Sequence, residues 1–193
     1  TMGESIILAS ASPRRQQLLL QLGLKFSVEP SCLDENLNLK MDFGPLAAKM
    51  ALNKAMAVAK KHKEGIVLGA DTIVVLDDKI LGKPESAQEA EEMLASLSGR
   101  WHRVYTGLSL VDASTKDYVS DFEVSRVKFK ELSSSEIQNY IKTGEPMDKA
   151  GSYGIQGKGA SFVEKIEGEY YNVVGLPLFK LSKMLEQFDI RIL

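Results

Sequence analysis

The chain has 193 residues, 44% of them hydrophobic and 26% charged, and a formal net charge of −2. That length supports a well-buried domain, and the charge excludes a global basic field for nucleic acid, so any anion must be bound locally. Cys32 is the single cysteine, which excludes an internal disulfide or a cysteine metal cluster. No apolar run approaches the ~20 residues of a membrane span, and no secretory signal is read at the start. The expectation is a cytoplasmic globular protein whose partners are neither nucleic acid nor membrane.

SIILAS, residues 5–10, reads as a short buried strand. Ser12 then Pro13 is a helix start, with Leu18, Leu19 and Leu22 as its buried face and Gly23 as its end. Arg14 and Arg15 fall in the first turn, where the helix dipole favours anions. Two readings fit: solvated arginines whose penalty is about 0.3–1 kcal/mol each, or a bound anion that both the dipole and two guanidinium forks serve. In the second, Ser10 and Ser12 add hydroxyl donors, and the anion is a phosphate chain.

LKFSVEP, 24–30, alternates like a strand and stops at Pro30. The polar loop after it carries Cys32, Asp34 and Glu35. Asp34 reads as solvated, and Glu35 is a candidate oxygen ligand. Residues 45–61 are an alanine-rich helix with Pro45 near its start. Lys54 lies there between Met50 and Val58, so its stem packs on apolar neighbours. IVLGADTIVVLDD, 66–78, is a central strand, read as interrupted at Gly69-Ala70-Asp71-Thr72. A carboxylate in such a strand is costly unless paired. Asp71 therefore either makes a structural ion pair or sits among cations, free to bind a divalent metal or orient a water.

Lys83 in LGKP follows a turn. This is not a Walker loop, because the glycine spacing and the following Ser or Thr are missing. A helix over 86–97 closes at Gly99. Residues 100–113 and 119–132 are two long strands, expected antiparallel. Ser133 with Glu136 is a capping-box start for a helix ending at Gly144. DKAGSYGIQGKG, 148–159, reads as turns in which Gln156 offers an amide donor beside an acceptor, matching the O4 and N3–H edge of uracil or thymine. Strand-like segments follow at 161–166 and 169–174, and a last helix begins at Pro177. With only His62 and His102, a multi-histidine metal site is disfavoured. His62 reads as a solvated helix end and His102 as packing. There is no dinucleotide fingerprint and no nucleophile elbow.

LASASPRRQQLL, the lysine of LNKA, LGADTIVV, LGKP, EPMDKAGSYGIQG and NVVGLP occur in that order over nearly the whole chain. This ordered set resembles the Maf family of nucleotide pyrophosphatases. The resemblance implies an α/β fold of the inosine triphosphate pyrophosphatase type, with a mixed, elongated central sheet flanked by helices. It implies one domain over 1–193, with two lobes around a central cleft as an open variant.

It also implies Asp71 as the catalytic proton acceptor, with Arg14, Arg15, Lys54 and Lys83 holding phosphates. Glu35 would join Asp71 at a divalent cation, Mg²⁺ or Mn²⁺. Arg14, Thr72 and Gln156 resemble the trio of the branch acting on dTTP and UTP. The branch acting on 7-methylguanosine triphosphate has Trp, Gln and Glu there. The expected activity is hydrolysis of a nucleoside triphosphate to monophosphate and pyrophosphate. Alternatives are the same reaction on 7-methylguanosine triphosphate, or a nucleotide-binding regulator of septum formation without turnover. A homodimer is compatible with the resemblance.

Overall fold

The computed structural model describes residues 5–33 and 40–193. Its strands are β1 (Ile6–Leu8), β2 (Phe26–Val28), β3 (Ile66–Leu76), β4 (Lys79–Leu81), β5 (Trp101–Asp112), β6 (Tyr118–Phe129) and β7 (Val163–Glu167). The helices are α1 (Pro13–Gln21), α2 (Phe43–Ala59), α3 (Ala87–Leu97), α4 (Ser134–Lys142), α5 (Tyr170–Val174) and α6 (Leu178–Glu186). The strands form one seven-stranded sheet in the order β2-β1-β3-β5-β6-β7, with β4 paired to β3. Pairing is mixed as expected: β1 runs parallel to β2 and β3, whereas β3–β4 and β6–β7 are antiparallel. No described helix is long and apolar enough to cross a membrane.

Local signals account for most of these boundaries. Ser12 caps α1, accepting from Arg15 N at 3.4 Å, with Pro13 in the first turn. Ser133 and Glu136 close a reciprocal capping box on α4. Gly23, Gly99 and Gly144 end their helices at positive φ. Two expectations are corrected. Gly69 to Thr72 do not interrupt β3, which is continuous over Ile66–Leu76. Residues 170–174 are a helical turn rather than a strand. The Glu169 side chain accepts from Asn172 N, and the buried Asn172 amide donates to Val104 O and Ser125 Oγ, so side-chain capping overrides the β-branched composition.

The chain divides into two compact units. Unit 1 comprises Thr1–Asp71, Thr106–Glu123 and Gly175–Leu193. A core of small and β-branched residues fills it, with Ala55, Val58 and Ala59 of α2 against Ile7, Val67 and Val111 of the sheet. Unit 2 comprises Thr72–Tyr105 and Val124–Val174. Its core is larger-grained: Leu94, Leu97, Ile137 and Tyr140 pack on Val74, Val104, Val127 and Phe129.

Candidate active site

In unit 1, α2 lies unusually close to the sheet. A Cβ on Gly69 would come within 2.2 Å of Ala51 O, and one on Gly107 within 2.1 Å of Ala47 O. Side chains alternate along a strand, so Asp71 shares the face of Gly69. Lys54 lies almost one turn beyond Ala51 on the helix pressed against that face. The outcome is an ion pair, Lys54 Nζ donating to Asp71 Oδ1 at 2.6 Å. Asp71 is buried, with its side chain 6% exposed, and Oδ2 has no hydrogen-bond partner among the described residues. A buried carboxylate oxygen left unpaired is costly. Asp71 thus combines an anchored oxygen with a second one able to take a proton or a hard cation.

The start of α1 is a second polar assembly in unit 1. Ser10 Oγ accepts from Ser12 N at 3.2 Å and from Arg15 Nη1 at 3.1 Å, which leaves its own proton available to donate. Arg15 Nε donates to Gly175 O at 2.8 Å. The Arg15 guanidinium therefore folds back over its own helix start and ties residues 10–12 to the segment before α6. Its neighbour Arg14 is half-buried. The two arginines, equivalent in sequence, have different surroundings.

Of the other expected site residues, Thr72, Lys83 and Gln156 belong to unit 2. Thr72 follows Asp71 on the opposite face of β3 and is half-buried. Lys83 is exposed on the loop after β4, before the buried Pro84. That loop is joined to the glycine-rich run by Gly151 N donating to Gly82 O at 3.1 Å. Gln156 is exposed within the run. Glu35 and Asp34 lie outside the described residues.

His102, read from sequence as packing, is 2% exposed, its Nε2 2.6 Å from Tyr153 Oη and its ring edge-on to Phe129. Burial pushes its pKa down to about 4, so the imidazole is neutral near pH 7. His62 Nε2 instead pairs with Glu29 Oε2. Sequence reading takes Gly69 only as part of a strand interruption and passes over Gly107, yet the two set how closely α2 approaches the strand that carries Asp71. Their detectable signal is a glycine in each of two strands beside an alanine-rich helix.

The class is thereby defined: a mixed α/β protein with a buried carboxylate–lysine pair and, in the same unit, an arginine-bearing helix start. The structure is similar to that of the Staphylococcus aureus Ham1 protein, with a TM-score of 0.52 and 15% identity over 96% of this chain and 100% of that one, a likeness of fold. The family described as Maf-like protein matches residues 5–188, and the chain belongs to it. A dTTP/UTP pyrophosphatase of Desulforamulus reducens is 52% identical over 187 residues, 97% of this chain and 98% of the relative. Another of the same name, from a Thermoanaerobacter species, is 54% identical over 190 residues, 97% and 99% of the two chains.

Proposed function

We propose that this protein is a nucleoside triphosphate pyrophosphatase that hydrolyses dTTP and UTP to the nucleoside monophosphate and pyrophosphate. The observation that carries the reading is Asp71, buried, held by Lys54 through one oxygen and open at the other. Near-full-length similarity to proteins named dTTP/UTP pyrophosphatase supports the choice of substrate. Asp71 Oδ2 accepts the proton of a water as its oxygen attacks the α-phosphorus. The bond from that phosphorus to the oxygen bridging to the β-phosphate breaks, and pyrophosphate leaves with the electron pair. Lys54 holds the carboxylate in place and counters the charge that develops.

Arg14 and Lys83 bind phosphate oxygens, and Ser10 donates its hydroxyl proton to one. Arg15, with Nε on Gly175 O and Nη1 on Ser10 Oγ, keeps the helix start in its binding conformation. As the alternative to taking the proton, Asp71 Oδ2 is a hard, buried oxygen that would fit Mg²⁺ or Mn²⁺. Among the described residues there is no group of three His, Cys, Asp or Glu that could hold a metal. Asp71, with Glu35 as the expected second ligand, would therefore share the ion with substrate oxygens and water. When bound, that ion supplies neutralisation of phosphate charge. Thr72 and Gln156 select the pyrimidine, the Gln156 amide pairing with O4 and N3–H. Since dTTP and UTP are cytosolic metabolites, the working enzyme belongs in the cytoplasm.

The test is pyrophosphate release from a panel of triphosphates with Mg²⁺ or Mn²⁺. Release is expected to be fastest from dTTP and UTP, and Asp71→Asn should lower it by about a thousandfold while nucleotide still binds. A wild-type protein that binds these nucleotides tightly and releases nothing would be a regulator, and the proposal would be abandoned.

A further inference from the structure

Gln156 sits in a run rich in glycine, yet the backbone on both sides of it is tied down. Before it, Gly154 N donates to Tyr140 Oη at 3.1 Å. After it, Lys158 N donates to Glu145 Oε1 at 2.9 Å and Gly159 N to Glu145 Oε2 at 3.2 Å. The two ties are coupled, because the Glu145 carboxylate acts on the Tyr140 hydroxyl and helps to keep it protonated. Tyr140 is 4% exposed, and burial, then Glu145, hold its phenol well above the ordinary tyrosine range. It stays protonated and accepts from Gly154 N. Two backbone donors thus converge on one carboxylate, a group that is acceptor-only and has a lone pair for each.

The glycines fit this clamp. A Cβ on Gly157 would fall on Glu145 Oε1, and one on Gly159 would lie 2.4 Å from Gly154 O and 2.8 Å from Tyr140 Oη. Gly157 has φ −102, so room for the carboxylate, not a left-handed backbone, is what excludes a side chain there. Glu145 in turn is set by the end of α4, following Gly144 at φ +76, with its N–H donating to Thr143 Oγ1 at 3.1 Å.

We infer that Glu145 is a positioning residue for base selection, its carboxylate fixing the segment from Gly154 to Gly159 so that Gln156 presents its amide in one orientation. This rests on the reading of Gln156 as the residue that meets the base. An exposed amide on a loose glycine loop could turn either its donor or its acceptor to a ligand and would have to be ordered at each binding event. A clamped one discriminates without that loss.

The experiment compares steady-state kinetics of pyrophosphate release from UTP and CTP in Glu145→Gln, Gly157→Ala and Gln156→Ala. Glutamine at 145 offers its acceptor oxygen to one of the two backbone donors and turns an NH2 toward the other. Expected is a roughly tenfold fall in the UTP-over-CTP ratio of kcat/KM, carried by KM for UTP, as one lost hydrogen bond of about 1.4 kcal/mol gives. Gly157→Ala, which displaces the same carboxylate, gives the same pattern. Added to Glu145→Ala, it changes nothing further, since the group it would displace is gone.

An equal loss on both nucleotides, carried by kcat, would make Glu145 a structural residue and overturn the inference. So would additive effects in the Gly157→Ala/Glu145→Ala pair. If Glu145→Gln does not fold, Gly157→Ala decides alone by the same split. Selectivity intact in Gln156→Ala would instead sink the base-reading role itself. Selectivity lost there but intact in Glu145→Gln and Gly157→Ala would sink only the clamp.

Discussion

Lys54 neutralises Asp71 at a depth where the carboxylate alone would be costly. Lys54→Met leaves a buried carboxylate without its counter-charge, and a loss of about 3–5 kcal/mol is expected. Asp71→Asn costs less, because Lys54, with 18% of its side chain exposed, can turn toward water. The double variant Lys54→Met/Asp71→Asn should recover most of the loss of Lys54→Met. Urea midpoints of the four proteins read this cycle, and additivity of the single effects would show that the pair is not coupled.

His102 gives a pH signature. Its pKa falls from 6.5 to about 4 on folding because burial disfavours the cation. Between those values the unfolded chain binds the extra proton, so stability is full above pH 6.5 and declines as pH drops toward 4, by roughly 3 kcal/mol at most. His102→Gln removes the titration. Its urea midpoint should fall less than that of wild type between pH 7 and 5, and parallel curves would refute the assignment. At this scale the sequence reveals what is local. Ser12, Pro13, Ser133 and Glu136 act within one helical turn, and their roles could be read directly. The Arg15 bond to Gly175 spans 160 positions, and Glu145 before a proline looks like any solvated acid until its donors are seen.

The elements owe their spacing to glycine. α2 presents Ala47, Ala51 and Ala55 to strands that answer with Gly69 and Gly107. Backbone carbonyls, unlike side-chain ends, cannot rotate away from an added methyl group. Gly107→Ala should therefore cost about 2–3 kcal/mol and impair the Lys54–Asp71 pairing that depends on the close approach. Gly82→Ala, where nothing lies within 4 Å, is the matched control and should be near neutral. Urea midpoints of both variants check this, and equal midpoints would show that the helix yields freely. The alanines were legible only as helix propensity, since propensity and close packing call for the same residue. For 169–174 the same ambiguity misled in the other direction: tyrosines and valines suit a strand, but Glu169 and Asn172 decide for a helix through bonds to their own backbone and to distant strands.

In the whole molecule the division into units leaves no linker in the sequence. Three of its four crossings, between residues 71 and 72, 105 and 106, and 123 and 124, fall inside β3, β5 and β6, where neither composition nor proline marks a boundary; the fourth, between 174 and 175, falls at Gly175 after α5. The ordered motifs were legible because each is a short local arrangement. Of the proposed ligand-binding residues, Ser10 and Arg14 belong to unit 1 and Lys83 and Gln156 to unit 2, and thermal stability measured with separate pieces of the substrate reports on each half of the ligand. A ligand that binds only the folded chain adds about 2.7 kcal/mol at a hundred times its Kd, or roughly 5–10 °C in Tm for a chain of this length.

With Asp71→Asn to prevent turnover, UTP should raise Tm most, pyrophosphate by a smaller but clear amount, and uridine least, because charge-assisted contacts outweigh one amide pair. Adding Lys83→Ala should remove the pyrophosphate shift and spare that of uridine. Chelating the divalent cation should cut the UTP and pyrophosphate shifts together and leave uridine unchanged. If uridine stabilised as strongly as pyrophosphate, affinity would reside in the base, and the arginine-bearing start of α1 would need another explanation.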